Sequence, residues 1–259
     1  ARTTTRFGAL PATELGAMTT TQLGSLAATQ IASLTTTQLR GLTPTEIGAL
    51  STSQLAGLST RQVSALTTTQ LTGLTADQMA GLSADQFNAL SATQVQAIST
   101  SALANIASTA IDDLPTTLLA ALSSTQFASL TETQIAALTT SQLAALTATE
   151  LAGMTATQLG ALTATGLGAL ATSQVAALTS SAVTGLTATE MAALKATQLA
   201  ALTTTALAGL TDTQIAALAT TQLAALTTTQ FSALSTAAIS GLTATELQSL
   251  ASTQLANMT

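Results

Sequence analysis

The sequence predicts an all-α solenoid in which each eight-residue repeat forms one very short helix. Three observations predict this fold. An octapeptide recurs 32 times from residue 3 to residue 258 without insertion or deletion, each copy carries a helix-start signal, and proline and glycine occupy restricted positions. The consensus is Thr-x-Thr-Gln-Leu-Ala-Ala-Leu, as in residues 35–42, TTTQLRGL. Arrays this strict are typical of proteins whose repeats contact only near neighbours.

The helix-start signal lies at positions one and four, counted with Thr35 as position one. Position one is Ser or Thr in 24 of 32 copies, and position four is Gln or Glu in 24 of 32. This spacing predicts a capping box, in which the hydroxyl accepts a backbone N–H and the Gln side chain reaches back. Positions five and eight are apolar in every copy. Leu34 and Leu39 then form the hydrophobic staple across the helix start.

Proline and glycine mark the two ends of the predicted helix. Pro11, Pro44 and Pro115 occupy positions one and two, where a helix start tolerates proline. Of 15 glycines, 14 occupy positions six and seven. We expect them to supply unusual backbone angles that end the helix, and to let neighbouring turns approach closely. Position eight is the expected corner.

Two other architectures fit the octapeptide less well. A continuous helix fits poorly, because eight residues overshoot two helical turns by about 80° and the apolar stripe would spiral. A β-solenoid with a corner inside each octamer stays open as the alternative, since Thr favours strands. The number of repeats in one turn of the solenoid is not predicted. Two would give a flat two-layer solenoid, and three or four a polygonal tube.

The organisation predicted is one repeat array over residues 1–259. Thr259 begins a 33rd copy, which favours a segment of a longer chain. Helices of about six residues are marginal alone in water, so we expect stacking between repeats to make the array cooperative.

Composition argues against several kinds of partner. Charged residues are 6% of the chain, against roughly 25% in ordinary domains, and only five are basic. We therefore expect no nucleic-acid binding, which needs clustered Lys and Arg. Polar residues recur in every octamer, so no run of about 20 apolar residues exists and we expect no membrane insertion. The absence of Cys excludes disulfides and thiolate metal sites.

Catalytic chemistry is not expected. The chain has no His or Cys, and its one lysine, Lys195, replaces a cap residue and is expected to be solvated. Five glutamates occupy the capping-box slot, which explains them: Glu14, Glu46, Glu150, Glu190 and Glu246. The doublet Asp112–Asp113 is interpreted as a solvated helix end. We predict no enzyme activity, no catalytic, cofactor-binding or metal-binding residues, and no cofactor.

One stretch departs from the consensus. Three successive repeats lack the Gln of position four and carry Ala102, Ala110 and Leu118 instead. Ala107 and Pro115 also replace cap residues. The interpretations are a partner-binding patch, a bend, or sequence drift under weak constraint.

Fourteen repeats carry Thr at positions one and three, for example Thr147 and Thr149. Capping explains the first Thr and leaves the second, a poor helix-interior residue, without a role. Such ranks resemble the Thr-x-Thr repeats of ice-binding proteins, so ice binding is an alternative function.

The run LTTSQLAALTATELAGMTATQLGAL, residues 138–162, resembles octapeptide arrays of large bacterial surface proteins often labelled haem utilisation or adhesion proteins. The resemblance implies an extracellular fibre or adhesin stalk at the cell surface, with a role in adhesion or biofilm. Haem binding is not expected, because His, Cys and Tyr are absent. The leading hypothesis is a structural fibre that self-associates or stacks on further repeats. The alternatives are an ice-binding protein and an intracellular repeat scaffold.

Overall fold

The computed structural model describes residues 10–256, and within them the regular structure is entirely α-helical. Each helix has four to six residues, and no strand occurs among the described residues. The all-α prediction is therefore confirmed and the β-solenoid alternative is wrong. Thr has a strand propensity, but its hydroxyl is used here at the helix start, where capping outweighs intrinsic preference.

The chain divides into two compact units, Ala1–Leu130 and Thr131–Thr259. The described part of the first unit contains helices α1 to α15: Ala12–Leu15, Thr20–Gly24, Ala28–Ala32, Thr36–Arg40, Pro44–Gly48, Thr52–Ala56, Thr60–Ser64, Thr68–Leu71, Ala76–Ala80, Ala84–Asn88, Ala92–Gln96, Thr100–Leu103, Ser108–Asp112, Thr116–Leu119 and Ser124–Ala128. The described part of the second contains α16 to α31: Glu132–Ala136, Thr140–Ala145, Ala148–Ala152, Ala156–Leu159, Ala164–Ala169, Thr172–Val175, Ser180–Val183, Ala188–Ala193, Ala196–Leu199, Thr204–Leu207, Asp212–Ile215, Thr220–Ala224, Thr228–Ser232, Thr236–Ser240, Ala244–Ser249 and Ser252–Leu255.

Each helix begins after position one and ends before position eight, as predicted. Thr35 is extended (φ −71°, ψ 159°), and the helix that follows covers positions two to six. Leu146, at position eight, is again extended (φ −61°, ψ 140°). The chain changes direction through these two extended positions, so position eight is the corner. Pro44 occupies the first helical position, where its missing N–H costs nothing.

The expectation that glycine ends each helix through unusual backbone angles is wrong. No described residue, glycine or other, has a positive φ. Gly41 follows its helix with ordinary right-handed angles (φ −77°, ψ −13°). Because the turn is made by extended residues at positions eight and one, no left-handed residue is needed.

Both units are coils in which each helix packs against the third helix before and after it. Thr36–Arg40 contacts Thr60–Ser64 in the first unit, and Ala196–Leu199 contacts Thr220–Ala224 in the second. Hydrogen bonds between turns join residues 25 to 31 positions apart. With eight residues in a repeat, one turn of the coil takes between three and four repeats.

The apolar residues of positions five and eight form the core of each unit. Leu39 is 0% exposed and Leu42 is 3% exposed, and the same pair is buried in most described repeats. Both members of the predicted staple, Leu34 and Leu39, are buried in this core. Two large apolar side chains per octamer thus supply the hydrophobic stabilisation of the coil.

The other prediction for glycine, that it lets neighbouring turns approach closely, is confirmed. A Cβ on Gly48 would lie 2.6 Å from the carbonyl oxygen of Gly73, in the next turn. A Cβ on Gly73 would in turn overlap the backbone of Pro44. Backbone thus packs directly on backbone at Gly48 and Gly73, where the absence of a Cβ allows the close approach.

Candidate functional site

The repeated polar feature of the molecule is the capping box, which the structure contains as predicted. Thr35 Oγ1 accepts the N–H of Gln38 at 3.2 Å, and Gln38 Oε1 accepts the N–H of Thr35 at 2.7 Å. The Thr35 hydroxyl also donates to Gln38 Oε1 at 3.0 Å. Where Ala27 replaces the cap, half of the box persists, because Gln30 Oε1 still accepts the Ala27 N–H at 2.9 Å.

The same glutamine has a second role that the octapeptide pattern did not predict. Gln70 Nε2 donates to the carbonyl oxygens of Leu39 at 2.7 Å and Leu42 at 2.6 Å, 31 and 28 residues earlier. In the second unit, Gln214 Nε2 bonds in the same way to Val183 at 2.8 Å and Leu186 at 2.7 Å. These carbonyls belong to positions five and eight, at the end of a helix, where helical partners run out.

We call this set of position-four side chains the glutamine ladder. Members such as Gln70 and Gln214 start their own helix with Oε1 and close an earlier helix with Nε2. Gln70 is 2% exposed and Gln214 is 3% exposed, so the bonds are shielded from water. The donors point toward earlier turns of the chain, which gives each coil a direction.

Glutamate in the ladder position removes the donor. Glu150 Oε2 accepts from the N–H and hydroxyl of Thr147 at 2.6 and 2.8 Å. Its Oε1 is buried with no hydrogen-bond partner among the described residues, and the side chain is 1% exposed. Burial raises the pKa of Glu150, and its bonds with Thr147 lower the pKa by less. The capping role predicted for this glutamate is confirmed, but burial gives it an electrostatic cost.

The hydroxyls of positions one and three lie on the outer face. Thr155 and Thr157 are exposed, and their Oγ1 atoms are 3.0 Å apart. Thr155 Oγ1 also accepts the N–H of Gln158 at 3.2 Å. Ser91 and Thr93 form the same hydroxyl pair at 3.1 Å. This geometry gives the third-position hydroxyl a local partner at the helix start, which favours a structural use of the Thr-x-Thr pattern.

Outside position four, the charged side chains of the described residues are exposed. Lys195 is exposed, as expected, but Nζ donates to the carbonyl oxygen of Gly168 at 2.9 Å, 27 residues earlier. Asp112 and Asp113 are both exposed. The described residues contain no group of three or more acidic side chains that could hold a metal ion. They also contain no helix long and apolar enough to cross a membrane.

Comparison with known proteins finds a repeat family to which two parts of the chain are similar. The model of the ALTTAQ repeat family matches residues 36–68 and 191–228. Within these ranges, residues 49–54 read ALSTSQ and residues 217–222 read ALATTQ, which span positions seven to four of consecutive octamers. No curated protein sequence matches the chain significantly. The chain is a repeat protein with a regular repeated structure.

Proposed function

We propose that this chain is a structural protein that forms part of an extracellular fibre or adhesin stalk on a bacterial surface, without enzymatic activity. The observation that supports this proposal most directly is the glutamine ladder. Gln70 and Gln214 direct buried amides to the helix ends of earlier turns, so polar chemistry is used to hold turns together. Hydrogen bonds that recur in this way from turn to turn are what an extended structural spacer needs.

Self-association is part of the proposal. The outer face carries many uncharged hydroxyls and few charges, so little repulsion separates neighbouring coils. A turn also presents amide donors on one side and helix-end carbonyls on the other. Contacts of that polarity are heterologous, and heterologous contacts generate open filaments when they do not close into a ring. The partner is therefore a second copy or further repeats of the same kind.

Sedimentation velocity of the purified chain over a concentration series tests self-association. The proposal expects the sedimentation coefficient to rise with concentration, and electron microscopy of the same samples to show filaments of uniform width. A monomer at every concentration would contradict assembly through this array. The matched control is a chain with Asp at exposed third-position threonines Thr69, Thr157 and Thr213, whose charge should weaken lateral association.

Location is tested separately. Antibodies against the purified array should label intact cells of the source organism in immunogold microscopy, before permeabilisation. Labelling only after permeabilisation would contradict the extracellular proposal and favour an intracellular scaffold. The two experiments are independent, so failure of one leaves the other informative.

A further inference from the structure

In residues 99–122 of the first unit, three successive repeats supply no donor to the glutamine ladder. Their fourth positions are Ala102, Ala110 and Leu118, none of which has a side-chain donor. Intact repeats nearby, such as the one containing Gln86, donate to carbonyls 28 and 31 residues earlier. Other repeats without Gln or Glu, such as those of Gly166 and Ala182, are single interruptions. Only here in the sequence do three successive repeats lack Gln or Glu at position four.

The helix caps fail in the same segment. Ala107 and Pro115 begin their helices with no side-chain cap hydrogen bond. Six other repeats lack a cap hydroxyl, and all six keep Gln or Glu at position four. Residues 107–122 are therefore the only two adjacent repeats in the sequence that lack both halves of the capping box. Loss of a side-chain cap destabilises a helix start, because a backbone N–H loses its acceptor.

Two amides on the outside of the coil reach these same repeats. Asn88 Nδ2 donates to the carbonyl oxygen of Asp113 at 2.9 Å, and Gln96 Nε2 donates to Ala121 at 3.0 Å. Both donors are at position six, which is usually Ala or Gly. The bonds are exposed, whereas ladder bonds such as that from Gln86 to Leu58 are buried. Water competes for exposed bonds, so they replace the missing ladder only in part.

We infer that residues 99–122 form a weak turn, which opens before the neighbouring turns of the first unit, with Asn88 and Gln96 as its outer latch. Opening of single cooperative segments below global unfolding is a general property of proteins. Residues 99–122 supply no buried side-chain amide to the preceding turn, and two of their three helices start without a side-chain cap, so fewer bonds of these kinds hold them to that turn. A fibre made from it would yield first at this turn.

Native-state hydrogen exchange of the full chain tests this inference on matched amides. Ile106, Leu114 and Leu122 donate to the carbonyl three residues earlier at 3.1 Å. Leu58, Leu66 and Leu74 form the same bond at 3.1, 3.1 and 3.2 Å in a segment with intact caps and ladder. Because these backbone hydrogen bonds have nearly the same length in both segments, a difference in their exchange rates reports a difference in opening. We expect protection factors about tenfold or more lower in residues 99–122. Equal protection would overturn the inference.

Two sets of variants separate the causes. Restoring ladder donors with A102Q and A110Q should raise protection of residues 99–122 toward that of the control segment. Removing the latch with N88A and Q96A should lower it by a further factor of about ten. The matched control is Q248A, which removes a position-six amide from the second unit and should leave exchange in residues 99–122 unchanged. If N88A and Q96A have no larger effect than Q248A, the latch is refuted. If A102Q and A110Q fold with unchanged protection, the weak turn is refuted.

Discussion

Gln70 Nε2 lies 2.6 Å from the carbonyl oxygen of Leu42, 28 residues earlier, while Oε1 of the same side chain accepts the N–H of Thr67 at 2.9 Å. One amide thus begins one helix and completes another in the preceding turn. Local helix formation and the stacking of turns are joined in a single side chain. The stability of each turn therefore depends on the turn before it.

Replacement of Gln70 by Ala should destabilise the chain by about 2–4 kcal/mol, because the carbonyls of Leu39 and Leu42 lose a buried amide donor and half of a capping box is lost. The measurement is the midpoint of urea unfolding. Thr69→Ala is the matched control, since Thr69 is exposed and next in sequence; it should change stability by about 0.5 kcal/mol or less. Equal effects of the two variants would contradict the role of the ladder.

Replacement of Glu150 by Gln should stabilise the chain at pH 7 by about 1–3 kcal/mol, because the buried, unpartnered Oε1 is replaced by an amide donor. The urea midpoint at pH 7 measures the gain. Glu132→Gln is the control, since Glu132 is exposed on a helix of the same unit. A stability gain for Glu132→Gln as large as that for Glu150→Gln would point to net charge as the cause.

Stability should also depend on pH through Glu150. Burial raises the pKa of Glu150 in the folded state above its ordinary value of 4.5, so the folded chain holds this proton more tightly than the unfolded chain. This contribution is fully present below pH 4.5 and is lost as pH rises through the raised folded pKa. The difference between Glu150→Gln and the native chain should therefore widen with rising pH in that window. A difference that narrows with rising pH would contradict the assignment.

Glycines at position six should differ in tolerance according to what they face. Gly48→Ala should cost about 1–3 kcal/mol, because the added Cβ meets the backbone of Gly73. Gly168 is also at position six, within Ala164–Ala169, but an added Cβ has nothing within 4 Å. Gly168→Ala should be neutral or stabilising by up to about 1 kcal/mol, since Ala favours the helix. Thermal unfolding of the pair measures the contrast, and equal costs would refute backbone packing between turns.

Folding should depend on repeat number with a threshold. A ladder bond spans 28 residues, from position four to position eight of the fourth repeat back, so five repeats are needed for the first one. Synthetic consensus arrays of two or three octamers should be disordered by far-UV circular dichroism. Arrays of a dozen or more should be helical, with stability that grows with repeat number. A helical array of two octamers would contradict this dependence.

Much of the local structure could be predicted from the octamer. The Thr35–Gln38 box, the buried staple of Leu34 and Leu39, and Pro44 at the first helical position all follow from short-range patterns. These features depend on residues within one repeat and its border. All the residues that form these interactions are therefore present in the short sequence pattern that predicts them.

The ladder could not be read from the octamer, because its partners lie a full turn away. The capping box accepts Gln and Glu equally, yet position four is Gln in 19 copies and Glu in five. That preference was the available signal of a required donor. It could not say which carbonyls receive the bond, since the number of repeats per turn depends on how closely backbones such as those of Gly48 and Gly73 approach. The prediction of unusual glycine backbone angles was wrong for the same reason, because the octapeptide does not show how neighbouring turns pack.

The most direct measurement of the central claim is a solid-state NMR dipolar coupling between glutamine side-chain ¹⁵Nε2 and leucine backbone ¹³C′ in the assembled or sedimented protein. The account predicts strong dephasing, because Gln70 Nε2 lies 2.7 and 2.6 Å from the carbonyl oxygens of Leu39 and Leu42. In the Gln70→Ala variant the dephasing should decrease by the contribution of Gln70, which is one member of the ladder. Absence of the coupling in the native chain would contradict the account, since the turns would then not be joined by glutamine amides.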